Sequence, residues 1–253
     1  MKPKFAALFP AGGQSLRMGS LCPNGSKLFI EIAQGLSFAE LSLRSIVSCQ
    51  GLGEVVLACR QEQRGLFADL LSRLLDAHSI KWQIVCGGDS RQASVYACLS
   101  ALTDTSPDLV LVHDVARPFC HTNEVLNVVE EAHKVGAAIL ACPVQSTLKR
   151  AVSVSDSSIE STLSRDRVWE AMTPQVFRRS ILIDAHTKAK TDSYIGTDEA
   201  ELVERLGVRV SLVQGSRENI KITSPNDIEL ARAIWMMRLR MVSPRGFEPL
   251  LPG

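Results

Sequence analysis

Short apolar runs alternate along the chain with longer segments whose apolar residues recur three and four positions apart. The runs are KFAALF (4–9), EVVLACR (54–60), IKWQIVC (80–86), DLVLVHD (108–114) and GAAILACPV (136–144). Between them lie SFAELSLRSIVSCQ, QRGLFADLLSRLLDAH, RQASVYACLSAL and NEVLNVVEEAHKV. A brief apolar run with turn formers at its ends has the character of a strand buried on both faces, and the three-and-four spacing that of an amphipathic helix. Their alternation predicts an α/β chain with a Rossmann-like, mostly parallel sheet and helices on both faces. In such sheets ligands bind beyond the carboxyl ends of the strands.

After Pro143 the rhythm changes. QSTLKRAVSVSDSSIESTLSRDRVW (145–169) is rich in Ser and Thr, roughly alternating, and carries SDSS as a turn, which predicts a protruding β-hairpin arm over about 143–169. An arm with one thin apolar face needs a partner, so a homodimer is expected. Beyond it the pattern predicts helices over RRSILIDAHTKAK and TDEAELVERLG, and short strands over VRVSLVQ and NIKIT. A last helix over PNDIELARAIWMMRLR has Pro225 suited to its first turn. The expected organisation is one domain over 1–240, with a disordered Pro/Gly-rich tail over 241–253.

Composition narrows the function classes. A net charge of +1 on 253 residues argues against the broad basic face of a nucleic-acid or membrane-surface binder, so an anionic ligand is expected to be met by a few placed cations. The seven cysteines are scattered and never form C-x-x-C, which argues for reduced thiols rather than a disulfide framework or a zinc site. The apolar stretch after MKPK is shorter than a secretory h-region and no run reaches membrane-spanning length, so a cytoplasmic protein is expected.

Four polar clusters fall where strands end or loops begin. Gly12, Gly13, Arg17 and Lys27 combine approachable backbone N–H groups with two cations, which suits a triphosphate, although a tight turn with solvated charges has the same pattern. Neither G-x-G-x-x-G nor G-x-x-x-x-G-K-[ST] is present, which disfavours a dinucleotide-dependent oxidoreductase. In CGGDSRQAS, Gly87 and Gly88 admit a flat base to the backbone, while Asp89 and Ser94 serve either its edge or the helix cap. In VHDVARPF, Asp114 at the sheet's carboxyl edge suits Mg²⁺ or a ligand hydroxyl, and Arg117 a phosphate; a structural Asp–Arg pair is the alternative. The fourth group is Thr147, Lys149 and Arg165 on the arm, Thr173, and Lys221, which interrupts the apolar strand NIKIT.

In this order the clusters resemble the polyol-phosphate cytidylyltransferase family, closest to its 2-C-methyl-D-erythritol 4-phosphate branch. The carriers are PAGGQSLRMG, Lys27, GGDSRQASV, VHDVARPF, CPVQSTLKR, SRDRVWEAMTPQ, TDEAELVE and ENIKIT, from about Pro10 to Trp235. The resemblance implies CTP, a polyol phosphate and Mg²⁺ bridging the triphosphate. It implies Arg17 and Lys27 as transition-state stabilisers, with Lys221 and Arg165 of the partner subunit positioning the attacking phosphate. Pro10, Ala11, Gly12, Gly13, Gly88, Asp89, Ser94, Asp114 and Val115 would hold CTP, and Asp114, Arg117, Thr147 and Thr173 would line the polyol phosphate site. The chain departs from the family pattern at Gly12, at Ser15, at an Asn24-Gly25-Ser26 insert before Lys27, and at Val115. Ribitol 5-phosphate is the rival acceptor, and a non-catalytic nucleotide-binding protein the rival from another class.

Overall fold

The computed structural model describes residues 2–13, 26–78, 80–103 and 105–242. The chain begins with β1 (Phe5–Pro10), a small hairpin of β2 (Glu31–Ala33) and β3 (Leu36–Ser37), α1 (Phe38–Val47), β4 (Leu52–Cys59) and α2 (Arg64–Leu75). It continues with β5 (Lys81–Cys86), α3 (Arg91–Ala101), β6 (Leu109–Val112), α4 (Thr122–Val135) and β7 (Ala137–Pro143). The arm is β8 (Leu148–Ala151) and β9 (Ile159–Leu163); β10 (Trp169–Arg178), α5 (Arg179–Thr191), α6 (Glu199–Glu204), β11 (Ser211–Gln214) and α7 (Pro225–Val242) follow.

Among the described residues seven strands form one sheet in the order β11-β7-β10-β6-β1-β4-β5. β1 runs parallel to β4 and β6, β4 to β5, and β11 to β7, whereas β10 lies antiparallel between β6 and β7. The central strands are covered on both faces, which is why their sequences are uninterrupted apolar runs. One face packs Phe5, Phe9 and Leu57 against α1, α2 and α4; the other packs Leu8, Val56 and Val112 against α3, α5 and α6. A third cluster, with Phe119, Ile222 and Ile234, seats α7 on the β2–β3 hairpin.

The hairpin arm forms a two-stranded sheet of its own, turned where Asp156 N–H donates to Ser153 Oγ and Ser158 N–H to the Asp156 carboxylate. The structure adds to the main sheet one strand that the pattern did not show and removes another that it did. Trp169–Arg178 is a full sheet strand, hidden in sequence because Glu170, Thr173, Pro174 and Gln175 break its apolar pattern; the ladder shifts register between Ala171 and Gln175, where proline has no N–H to give. NIKIT is not a strand: Ile222 N–H donates to the Ala116 carbonyl at 2.8 Å, and no ladder forms along the segment. The last helix is present as its pattern predicts, from Pro225 to Val242, and 243–253 lies outside the described residues.

Candidate functional site

The carboxyl ends of β1, β4, β5 and β6 open into a cleft of about 860 Å³. Its first wall is made by two glycine-bearing loops. Ala11 N–H donates to the Ala58 carbonyl at 2.7 Å and Gly87 N–H to that of Cys59 at 2.8 Å, which prolongs the ladder by one bond on each side of β4 before the loops turn. A Cβ on Gly12 would lie 3.7 Å from Gly87 Cα, so the two loops are in contact. At Gly88 a Cβ would come within 2.5 Å of Ala93 Cβ, and this close approach of loop to helix admits only glycine.

Ser90 caps α3, its Oγ accepting Ala93 N–H at 3.0 Å. The cap expected of Asp89 or Ser94 is therefore supplied by their neighbour. Ser94 instead braces the loop, accepting Gly88 N–H at 3.1 Å and donating to the Ser90 carbonyl at 2.9 Å, and Asp89 is left exposed on the cleft wall. The positive end of the α3 dipole opens onto this wall, which favours an anion there. Opposite, Lys27 lines the cleft from a single 3-10 turn (Lys27–Phe29) whose cap is Ser26, the last residue of the polar insert. Arg17 lies outside the described residues.

The floor is Asp114, with Val115 and Ala116 beside it. Asp114 is 7% exposed, its Oδ1 accepting Arg91 Nε at 2.8 Å and its Oδ2 accepting Lys221 Nζ at 2.6 Å. Burial alone would raise its pKa, but the charges and hydrogen bonds of Arg91 and Lys221 more than offset that and hold it well below the ordinary carboxylate range. Arg91 also grips Glu199 Oε2 at 2.6 Å. Burial pushes the Glu199 carboxyl up, with Arg91 opposing, and the two carboxylates hold the Arg91 guanidinium more firmly charged than burial would allow.

Beneath the floor, Thr173 Oγ1 accepts Asp114 N–H at 3.0 Å and meets His113 Nδ1 at 3.2 Å, while His113 Nε2 donates to the Arg117 carbonyl at 3.2 Å. Arg117 Nη1 donates to the Asn219 carbonyl at 2.7 Å, and Asn219 Nδ2 to that of Thr173 at 2.9 Å. Arg117 and Thr173 thus tie the Lys221 segment to the end of β6 and do not line the cleft of this chain. Thr147 and Arg165 are exposed at the base of the arm, where Arg165 donates to the Gln145 carbonyl. Of the expected CTP contacts, Pro10, Ala11, Gly12, Gly13, Gly88, Asp89, Ser94, Asp114 and Val115 all lie on the cleft wall.

Sequence reading missed Arg91, Glu199, Arg60 and Thr223. Arg91 and Glu199 sit inside motifs that carried the resemblance, but an arginine or glutamate in a first helical turn reads as a solvated charge until its partner is known.

Asp114 is a poor fit to a protein-held metal ion, because both of its oxygens already serve cations. No group of three or more His, Cys, Asp or Glu converges among the described residues. The donor set suits a hard cation whose ligands are mostly phosphate oxygens and water.

A family model described as 2-C-methyl-D-erythritol 4-phosphate cytidylyltransferase matches residues 5–237. A relative of that name from Bacillus licheniformis is 39% identical over 230 residues, 91% of this chain and 95% of its own. Another from Syntrophus aciditrophicus is 39% identical over 233 residues, covering 92% and 96%. The crystal structure under the same name from Thermus thermophilus aligns with a TM-score of 0.72 at 31% identity, over 91% of this chain and 98% of that one. A 4-diphosphocytidyl-2C-methyl-D-erythritol synthase from Anaerococcus prevotii aligns with a TM-score of 0.76 at 26% identity, over 92% and 96%.

Proposed function

The chain belongs to the 2-C-methyl-D-erythritol 4-phosphate cytidylyltransferase family, and from that membership we propose how its cleft carries out the reaction. The enzyme is a nucleotidyltransferase that moves a cytidylyl group from CTP to 2-C-methyl-D-erythritol 4-phosphate and releases pyrophosphate, in the non-mevalonate route to isoprenoids. A phosphate oxygen of the acceptor attacks the α-phosphorus of CTP in line; that P–O bond forms as the one to the pyrophosphate oxygen breaks. A phosphate is already a nucleophile near neutral pH, so the protein supplies placement and charge rather than a general base.

The observation that carries this reading is the meeting of two glycine-bearing loops, Lys27 and the Asp114–Lys221 pair at one edge of the sheet. The backbone around Ala11, Gly12 and Gly88, with Asp89 and Ser94, takes the cytosine. Lys27, with Arg17, neutralises charge as pyrophosphate leaves. Lys221 positions the acceptor phosphate together with Arg165 of the partner subunit, brought with Thr147 by the arm of a homodimer; Asp114 forms the floor of the acceptor end, and Arg117 and Thr173 support that floor from beneath. Mg²⁺ or another divalent cation enters on the triphosphate. A cytoplasmic location belongs to the same proposal; no helix among the described residues is long and apolar enough to cross a membrane.

The test is pyrophosphate release with CTP and Mg²⁺, using 2-C-methyl-D-erythritol 4-phosphate or ribitol 5-phosphate as acceptor. Turnover with the first alone is expected, and preference for ribitol 5-phosphate would replace the acceptor. Lys221→Ala is expected to cut turnover at least about a hundredfold, by loss of a charge aimed at the reacting phosphate. Mixing Arg165→Ala subunits with Lys27→Ala subunits should restore one working site per heterodimer, and no recovery would show that the arm does not complete its partner's site.

A further inference from the structure

Lys221 and Asp114 are the outer half of a longer chain of charge. Glu199 Oε2 to Arg91 Nη1 is 2.6 Å, Arg91 Nε to Asp114 Oδ1 is 2.8 Å, and Asp114 Oδ2 to Lys221 Nζ is 2.6 Å. Four segments contribute: the start of α6, the first turn of α3, the loop after β6 and the segment before α7. Along it side-chain exposure is 40% at Lys221, 9% at Asp114, 27% at Arg91 and 1% at Glu199, so the two carboxylates are buried while the two cations both reach the cleft lining, and the chain ends in the interior at Glu199.

The ordering of signs has a consequence for an incoming phosphate. A carboxylate at the cleft floor repels a dianion unless its charge is met by something other than the cation that must turn toward the ligand. Arg91 supplies that second cation. Its guanidinium is planar and rigid, so the direction of Nε toward Asp114 is set by where Glu199 pins Nη1. Glu199 in turn has a reason to be charged in a fully buried position only because Arg91 is there.

We propose that Arg91 and Glu199 are positioning residues for the acceptor phosphate: Glu199 fixes the Arg91 fork, Arg91 holds and compensates Asp114, and Asp114 moors Lys221 in the cleft. This rests on the reading of Lys221 given under Proposed function. Neither residue needs to touch the substrate for the effect to appear in its binding.

The experiment is steady-state kinetics on Arg91→Lys and Glu199→Gln, alone and in a Lys221→Ala background. For each single variant KM for the polyol phosphate should rise about tenfold while KM for CTP stays within about twofold, because the link acts on the acceptor end of the cleft. In the Lys221→Ala background the same substitutions should add less than about twofold, since the residue they act through is gone. Equal increases in both KM values, or effects that multiply fully with Lys221→Ala, would overturn the inference and mark the network as a fold-stabilising one. Parental kinetics in Arg91→Lys and Glu199→Gln beside an impaired Lys221→Ala would also overturn it while leaving the role of Lys221 standing. A fully active Lys221→Ala would remove the underlying reading and the inference with it. Should Glu199→Gln fail to fold, Glu199→Asp keeps the charge but moves it, and its KM for the polyol phosphate should rise with CTP binding by calorimetry unchanged.

Discussion

Thr173 holds two groups that have little else to bond. Its hydroxyl accepts Asp114 N–H and, because His113 must donate from Nε2 to the Arg117 carbonyl, gives its own proton to His113 Nδ1. All three residues are at least nine-tenths buried, so removing the hydroxyl strands a donor and an acceptor away from water. Thr173→Val is therefore expected to cost about 1–3 kcal/mol in chemical denaturation, and Thr173→Ser to recover most of it. At this scale the sequence named Asp114 and the loop glycines, because their position at strand ends is readable from the apolar runs, and Lys221, because a cation interrupts the apolar pattern of NIKIT. It did not mark Arg91 or Glu199, whose meaning lies in each other and in Asp114.

Elements position these residues through their ends. Ser90 caps α3 and so sets both the turn that carries Arg91 and, through its carbonyl, the Ser94 hydroxyl that braces Gly88. Ser90→Ala should cost about 1 kcal/mol in thermal or chemical unfolding. It should also raise KM for CTP, since the Gly88 loop loses part of its support. The arm is a different case: β8 and β9 pair with each other, and Val152, Val154 and Ile159 remain 53%, 111% and 64% exposed. Ile159→Asp is expected to shift the protein toward monomer in sedimentation and to lower turnover while leaving the melting temperature of the body nearly unchanged. If the variant sediments as the parent does, the arm is not where copies meet. The hairpin was legible because period-two alternation around a Ser/Asp turn is local. β10 was not, because its Pro174 and polar neighbours are tolerated only where its ladder with β7 shifts register, before its pairing with β6 begins at Gln175.

For the whole molecule, two buried histidines set the response to acid. Burial pushes His113 and His186 from 6.5 down to about 4, with Asp114 opposing at the first and Arg91 adding to the shift at the second. Both are neutral when folded and titrate near 6.5 when unfolded, so between those values the unfolded chain binds more protons and stability falls as pH is lowered. The depressed Asp114 adds a loss in the same direction at lower pH, while the raised Glu199 opposes it in part. Unfolding midpoints should drop between pH 7 and pH 5, by up to about 2 kcal/mol of stability per histidine. His186→Phe, which keeps a ring beside Tyr96, should flatten that slope; a slope unchanged by the substitution would place the acid sensitivity elsewhere.

What the sequence determined by itself was whatever depends on neighbours along the chain: the alternation of strand and helix, the loops at the carboxyl edge, the arm, and the set of motifs that carried the family. Periodicity and turn chemistry act over a few residues, so one chain displays them without its fold. What only the tertiary structure decided was which charges meet. Arg91 reaches Asp114 across 23 positions and Glu199 across 108, and those ion pairs exist because the sheet brings α3, α6 and the end of β6 to one place. The antiparallel seat of β10 and the path of the Lys221 segment were settled in the same way, by backbone groups that find partners only in the packed molecule.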